Sequence, residues 1–159
     1  MAADYFLKID GVPGQSTDNK HKNEIEVVAF SWGATNQAGL AFGGGSGAGK
    51  PQVQDFHFTM RVNKASPKLM LACIKGEHLS TATLTCRKAG KDQQEFLVYK
   101  FTDVTVSSFQ TGGSGDGIPM DSISLAFSKF ELEYKPEKAD GSLGQAMKTG
   151  WDLMQGKKV

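Results

Sequence analysis

From Phe56 to Arg61 the chain reads Phe-His-Phe-Thr-Met-Arg, with an apolar residue at every second position. That two-residue period belongs to a strand with one buried face and excludes a helix, whose apolar positions recur every three to four residues. The same alternation returns in Thr81–Arg87, where Ala82, Leu84 and Cys86 form one face and threonines the other. Two further segments keep the period but change phase. In Glu24–Trp32, Ile25 and Val27 share one parity while Val28, Phe30 and Trp32 share the other. In Ser122–Tyr134, Ile123, Leu125 and Phe127 give way to Phe130, Leu132 and Tyr134. One inserted residue near Val27–Val28, a β-bulge, would bring both sets onto one core, and such bulges coil a sheet toward a barrel.

The remaining segments fit the same plan. Tyr5–Ile9 reads as a short strand ended by the turn Asp10–Gly14, and Gln15–Asn23 as a polar loop. Val53–Val62 is a strand, Glu95–Phe109 a long one bent near Thr102-Asp103, and Gly150–Met154 a terminal one with Trp151 inward. One helix is expected. Ser66 supplies its N-cap, Pro67 its first position, Gly76 its exit, and Leu69, Met70, Cys73 and Ile74 its apolar face. At about ten residues it is too short to stand alone and must pack on the sheet. Antiparallel strands without strand–helix alternation predict a mainly β, barrel-like fold rather than a parallel α/β arrangement.

A chain of 159 residues suffices for one domain spanning 1–159 with its own core. Its 18 basic and 17 acidic side chains leave a net charge of +1 with no basic cluster, which argues against a nucleic-acid groove. No apolar run reaches the length of a membrane span, and Met1–Gly11 lacks the charged start and apolar run of a secretory leader. These features predict a soluble chain made in the cytoplasm. Cys73 and Cys86, in apolar-patterned segments, read as buried free thiols.

Chemistry is sparse. His21, His57 and His78 lie in unrelated contexts; His57 alternates with Phe56 and Phe58 and so faces away from the core, and His78 follows the helix exit, where it would cap carbonyls. Asp116 and Asp121 flank one loop as a potential carboxylate pair, but no third group matches them. No enzyme, cofactor or metal site is expected. The 19 glycines gather in Gly39–Gly49 and Gly112–Gly117, marking loops. Within Leu40–Lys50, Gly44-x-x-x-x-Gly49-Lys50 has the spacing of a phosphate-binding loop. Pro51 stands where that loop needs Ser or Thr for magnesium, and a strand follows where it needs a helix. The segment reads instead as an extended glycine-rich excursion between two strands, spanning roughly 38–52. By contrast, the small neutral faces Thr81/Thr83/Thr85 and Ser124/Ala126/Ser128 suit contact with another subunit or the border of a polar cavity.

Several stretches together resemble the haemolysin-coregulated protein (Hcp) family, the tube protein of the bacterial type VI secretion system. They are Tyr5–Gly11 (YFLKIDG), His21–Gly33 (HKNEIEVVAFSWG), Gly44–Lys50, Ser66–Leu69 (SPKL), Arg87–Gly90 (RKAG), Val106–Gly113 (VSSFQTGG), Glu133–Pro136 (EYKP) and Gly150–Asp152 (GWD). The resemblance implies an antiparallel two-sheet β-barrel with one short flanking α-helix, and a homohexameric ring that stacks into a hollow tube. It further implies a contractile sheath, a spike protein and secreted effectors as partners, with neither nucleic acid nor membrane insertion. The tube would be cytoplasmic before firing and then delivered outside or into a target cell without a signal peptide. The eight residues after Trp151 are too few for an appended domain, which implies the bare structural form. The alternative role is a free hexameric effector chaperone that does not polymerise. On this pattern Leu40, Phe42, Gly44, Gly45 and Lys50 belong to a loop reaching a neighbouring subunit or ring; otherwise Leu40 and Phe42 fold back on their own barrel. Ala29 and Ser31, opposite Val28, Phe30 and Trp32, are candidates for the lumen wall, with the ring exterior or a subunit contact as the other placements for Ser31.

Calorimetry with ATP should detect no binding, and a micromolar dissociation constant abolished by Lys50→Ala would restore the phosphate-loop reading.

Overall fold

The computed structural model describes residues 2–36, 51–90 and 93–159. Among them are twelve strands and one helix. The first strands are β1 (Ala3–Ile9), β2 (Ile25–Val27), β3 (Ala29–Ser31), β4 (Ala34–Asn36), β5 (Pro51–Val53) and β6 (Phe56–Arg61). Helix α1 (Ser66–Lys75) follows, then β7 (His78–Lys88), β8 (Glu95–Gly112) and β9 (Met120–Ala126). The chain ends in β10 (Lys129–Tyr134), β11 (Met147–Asp152) and β12 (Lys157–Lys158). No helix among the described residues is long and apolar enough to cross a membrane.

The long strand β8 joins two layers. Its first half lies between β7 and β10, within the order β12-β11-β10-β8-β7-β1-β2. Its second half pairs with β9, which continues through β6 to β3. All of these pairings are antiparallel, so the fold is mainly β as the alternation predicts. The change of layer falls at Asp103, whose φ of 57° bends the strand where the sequence places a break. A second irregularity lies between Val106 and Ser108. Phe101, Val104 and Val106 are consequently all buried, although their spacing is three and then two residues.

The phase slip in Glu24–Trp32 is real, but its odd residue is Val28. Val28 is 52% exposed, outside the core to which the sequence assigns it, and its amide donates to the Thr59 carbonyl at 2.9 Å. Val27 and Phe30 on either side therefore point inward together. Here the chain passes from β2, paired with β1, to β3, paired with β6. No described ladder joins β2 to β6. The two layers curl toward each other as in a barrel, but the hydrogen-bonded wall is interrupted at this seam. Between the layers lies an aromatic cluster in which Trp32 meets Phe101, Phe127 and Phe130 at 4.9–6.0 Å between ring centres. The Trp32 indole N–H donates to the Gln54 carbonyl at 2.8 Å, so the half-buried ring packs on the core without stranding its polar atom.

Helix α1 has the expected extent and a different inner face. Leu69 and Ala72 are buried and Cys73 packs on the core, whereas Met70 is 50% and Ile74 74% exposed. The one-, three- and four-residue steps fit two overlapping faces, and contact with the sheet selects the one through Ala72. Ser66 is not the cap. Ala65 holds that position without a side-chain bond, while the Ser66 hydroxyl donates to buried Asp121 at 2.6 Å. Gly76, at φ 64°, ends the helix as expected. The expected strand Val53–Val62 is divided at Gln54-Asp55 into β5 and β6.

The polar segment Gln15–Asn23 is tied down from both ends. The amides of Gly14 and Ser16 donate to the carbonyls of Asn23 and Glu24 at 2.7 and 3.0 Å. Arg87, 2% exposed, holds both carboxylate oxygens of Asp18 at 3.0 and 2.7 Å. The approach at Gly14 is so close that a Cβ there would strike the Glu24 carbonyl and lie 2.7 Å from the Ile25 amide, both of them backbone. Gly14→Ala should therefore lower stability by about 1–3 kcal/mol or more, as overpacking does. A urea midpoint equal to that of the unsubstituted chain would show that the loop yields instead.

Candidate functional site

The layer β3-β6-β9-β8 has an unusual outer face. Antiparallel register places Ser31, His57, Ser124 and Ser108 side by side across the four strands. The next row is Ala29, Thr59, Ser122 and Gln110. Strand alternation sets these eight residues opposite the buried Phe56, Phe58, Ile123 and Leu125. Every side chain in the two rows except His57 and Gln110 is short, and none is a carboxylate, lysine or arginine. His57 Nδ1 lies 3.1 Å from the Ser124 hydroxyl, so the one titratable group of the wall is tethered to its neighbour. Among the described residues β3 has no partner strand on its second edge.

Ala29 and Ser31 thus both occupy exposed positions on this face. Leu40, Phe42, Gly44, Gly45 and Lys50 lie outside the described residues. The hairpin β4–β5 on either side of them pairs Ala34 with Val53 and Asn36 with Pro51. Ser122, Ser124 and Ser108 join Ser31 only through register across strands far apart in the chain. Local alternation identifies their parity but not which strand lies beside which.

Elsewhere the polar groups serve the fold. The carboxylates of Asp116 and Asp121 do not pair: Asp116 accepts from Ser114 at 2.5 Å and Asp121 from Ser66. His78 caps no carbonyl and instead meets Asp103 at 3.0 Å on the surface. Cys73 and Cys86 are free, and burial pushes the Cys86 thiol up to about 12, which leaves it a poor nucleophile. No three metal-binding side chains converge among the described residues. What the layer offers is a surface of mostly short polar side chains without a carboxylate, lysine or arginine in its two rows.

Comparison with known proteins gives this surface its context. The family model described as type VI secretion system effector, Hcp, matches residues 6–134. Over 158 residues the chain is 44% identical to the Pseudomonas aeruginosa protein hcp1, covering 98% of each. A type six secretion system protein of known structure is 36% identical, with a TM-score of 0.94 over 99% of this chain and 100% of the other. Hcp1 from Salmonella typhimurium is 35% identical, with a TM-score of 0.81 over the whole of both chains. With the family matched over most of its length and a relative aligned almost end to end, this chain belongs to the Hcp family of type VI secretion proteins.

Proposed function

We propose that the protein is the repeating subunit of a hollow tube, built from hexameric rings whose inner wall is the outer face of β3-β6-β9-β8. The observation that carries this reading is the two-row array of mostly short side chains, with no carboxylate, lysine or arginine among them: Ser31, His57, Ser124 and Ser108 beside Ala29, Thr59, Ser122 and Gln110. A passage for folded cargo of varied surface must be hydrated and low in fixed charge, because a charged or apolar wall would hold some cargoes and repel others. Two features favour assembly. The second edge of β3 offers unpaired backbone among the described residues, and the helix presents Met70, Leu71 and Ile74 to solvent. On this reading Leu40, Phe42, Gly44, Gly45 and Lys50 contact an adjacent subunit or ring, and the contacts made there offset the entropy cost of fixing a glycine-rich segment. The sheath, the spike and secreted effectors are the partners, and the chain leaves the cell through the apparatus it builds.

Light scattering after size exclusion should give a mass of roughly six times 17.1 kDa, as a closed cyclic assembly requires. A monomer at micromolar concentration would contradict the ring. Electron micrographs distinguish stacked rings, the tube, from isolated rings, the chaperone. Replacing Leu40 and Phe42 together by serine should weaken assembly or stacking without altering circular dichroism, and unimpaired tubes would remove the loop from the contact. Ser31→Gln should change stability by no more than about 0.5 kcal/mol and alter cargo co-purification while the hexamer persists. Loss of the hexamer would put Ser31 in a subunit contact, and no change in either property would put it on the exterior.

A further inference from the structure

The seam between β2 and β6 leaves one residue of the sheet without a main-chain partner. Successive residues of a strand turn their N–H and C=O groups to opposite edges, so alternate residues share an edge. On the edge of β2 away from β1 these are Glu24, Glu26 and Val28. The Glu24 carbonyl accepts from the Ser16 amide at 3.0 Å, and the Val28 amide donates to the Thr59 carbonyl at 2.9 Å. Glu26, midway between them, has no partner strand on that edge among the described residues. Its N–H and C=O stand side by side as a donor and an acceptor, the arrangement that pairs with one residue of an extended chain.

This free edge opens on a cleft of about 700 Å³. Glu26 and Val28 line it from β2, Arg61 and Val62 from the end of β6, and Ile118 from the loop before β9. Val28, Val62 and Ile118 are all exposed, so three large apolar side chains from three segments border one opening. The two arginines in the lining do not make it an anion site. Arg87 is engaged by Asp18 at 3.0 and 2.7 Å and by Asp4 at 3.4 Å. Asp4, Asp18 and Glu26 against Arg61 and Arg87 leave the lining at a formal charge of −1. A purely aliphatic ligand would satisfy the apolar border and leave Glu26 unpaired. A peptide satisfies both.

We propose that the cleft binds a short extended peptide segment of a partner protein, with one basic residue between two apolar ones. The residue opposite Glu26 exchanges two main-chain hydrogen bonds with it. Its side chain stands on the same face as the Glu26 carboxylate, where opposite charge is favoured. The apolar neighbours cover Val28, Val62 and Ile118. From Glu24 to Val28 the edge runs only about 13 Å, at roughly 3.3 Å per residue. Both of its ends are already paired within the chain, so the guest is limited to about three residues and a long strand is excluded. The inference goes beyond the ring and its passage, since every residue it uses belongs to one subunit.

Amide hydrogen exchange on the assembled protein tests this, with a valine-lysine-valine tripeptide capped at both ends as the probe. In the protein alone the Glu26 amide should exchange close to its intrinsic rate, while that of Val27, turned toward Tyr5 of β1, stays protected. The tripeptide at roughly 10 mM should slow Glu26 about fivefold or more. The same peptide methylated on the lysine nitrogen of the main chain keeps every side chain but cannot donate to the Glu26 carbonyl. It should slow Glu26 by less than about twofold. Ile118→Ser, at an exposed loop position, should weaken the tripeptide's affinity about threefold. A Glu26 amide already protected in the protein alone would show the edge covered by the chain itself or by a second copy, and would overturn the proposal. No slowing by the tripeptide would do the same, as would equal slowing by the methylated peptide or unchanged affinity in Ile118→Ser.

Discussion

A strand can turn its apolar side chains to one core only while its two-residue period is unbroken, and here one core is shared by two layers. The chain meets that constraint by adding a single residue wherever a strand bends from one layer toward the other. Val28 does so between β2 and β3, Asp103 and Ser107 within β8, and the Phe127–Phe130 step between β9 and β10. Each addition keeps large side chains pointing inward on both sides of the bend. Trp32, Phe101, Phe127 and Phe130 can then meet as one aromatic cluster although they come from four different segments. Burying aromatic rings of this size beside the aliphatic core removes apolar surface from water and stabilises the meeting of the two layers.

The same geometry determines what remains outside. Once Phe56, Phe58, Ile123 and Leu125 are committed to the core, His57, Thr59, Ser122 and Ser124 must stand on the opposite face. Nothing inside the domain requires those positions to be short and uncharged, and solvent would accept lysine or glutamate there equally well. On the reading proposed above, an environment beyond the single chain explains that restriction, which is why the wall rather than a cavity carries the proposal. The ion clusters lie elsewhere and fasten the Gln15–Glu24 segment, so the charged chemistry of the molecule is separated from its neutral face.

Much of this was legible in the residues. Alternation located the strands, and the slips at Val27–Val28 and Phe127–Phe130 foretold the bends. Pro67 and Gly76 bounded the helix, and parity alone turned His57 and Ser31 away from the core. Residue pattern could not decide which side of a bulge stays buried, so Val28 was assigned to the wrong face. It could not choose between Ile74 and Ala72 on a helix whose two apolar faces overlap. Contacts between distant segments left no local trace: Arg87 meets Asp18 across 69 positions, and Ser66 meets Asp121 across 55. The β8 irregularity at Ser107 was hidden because two consecutive serines, Ser107 and Ser108, blur the parity there. Leu40, Phe42, Gly44, Gly45 and Lys50 lie outside the described residues, so their contact role rests on resemblance and on composition.

The central claim is that the hydroxyl face of β3-β6-β9-β8 lines a passage. An electron cryo-microscopy reconstruction of the purified assembly, at a resolution that shows side chains, tests it most directly. The account predicts Ser31, His57 and Ser124 of every subunit facing a central channel. The same residues facing the outer circumference, or covered by the adjacent subunit, would contradict it.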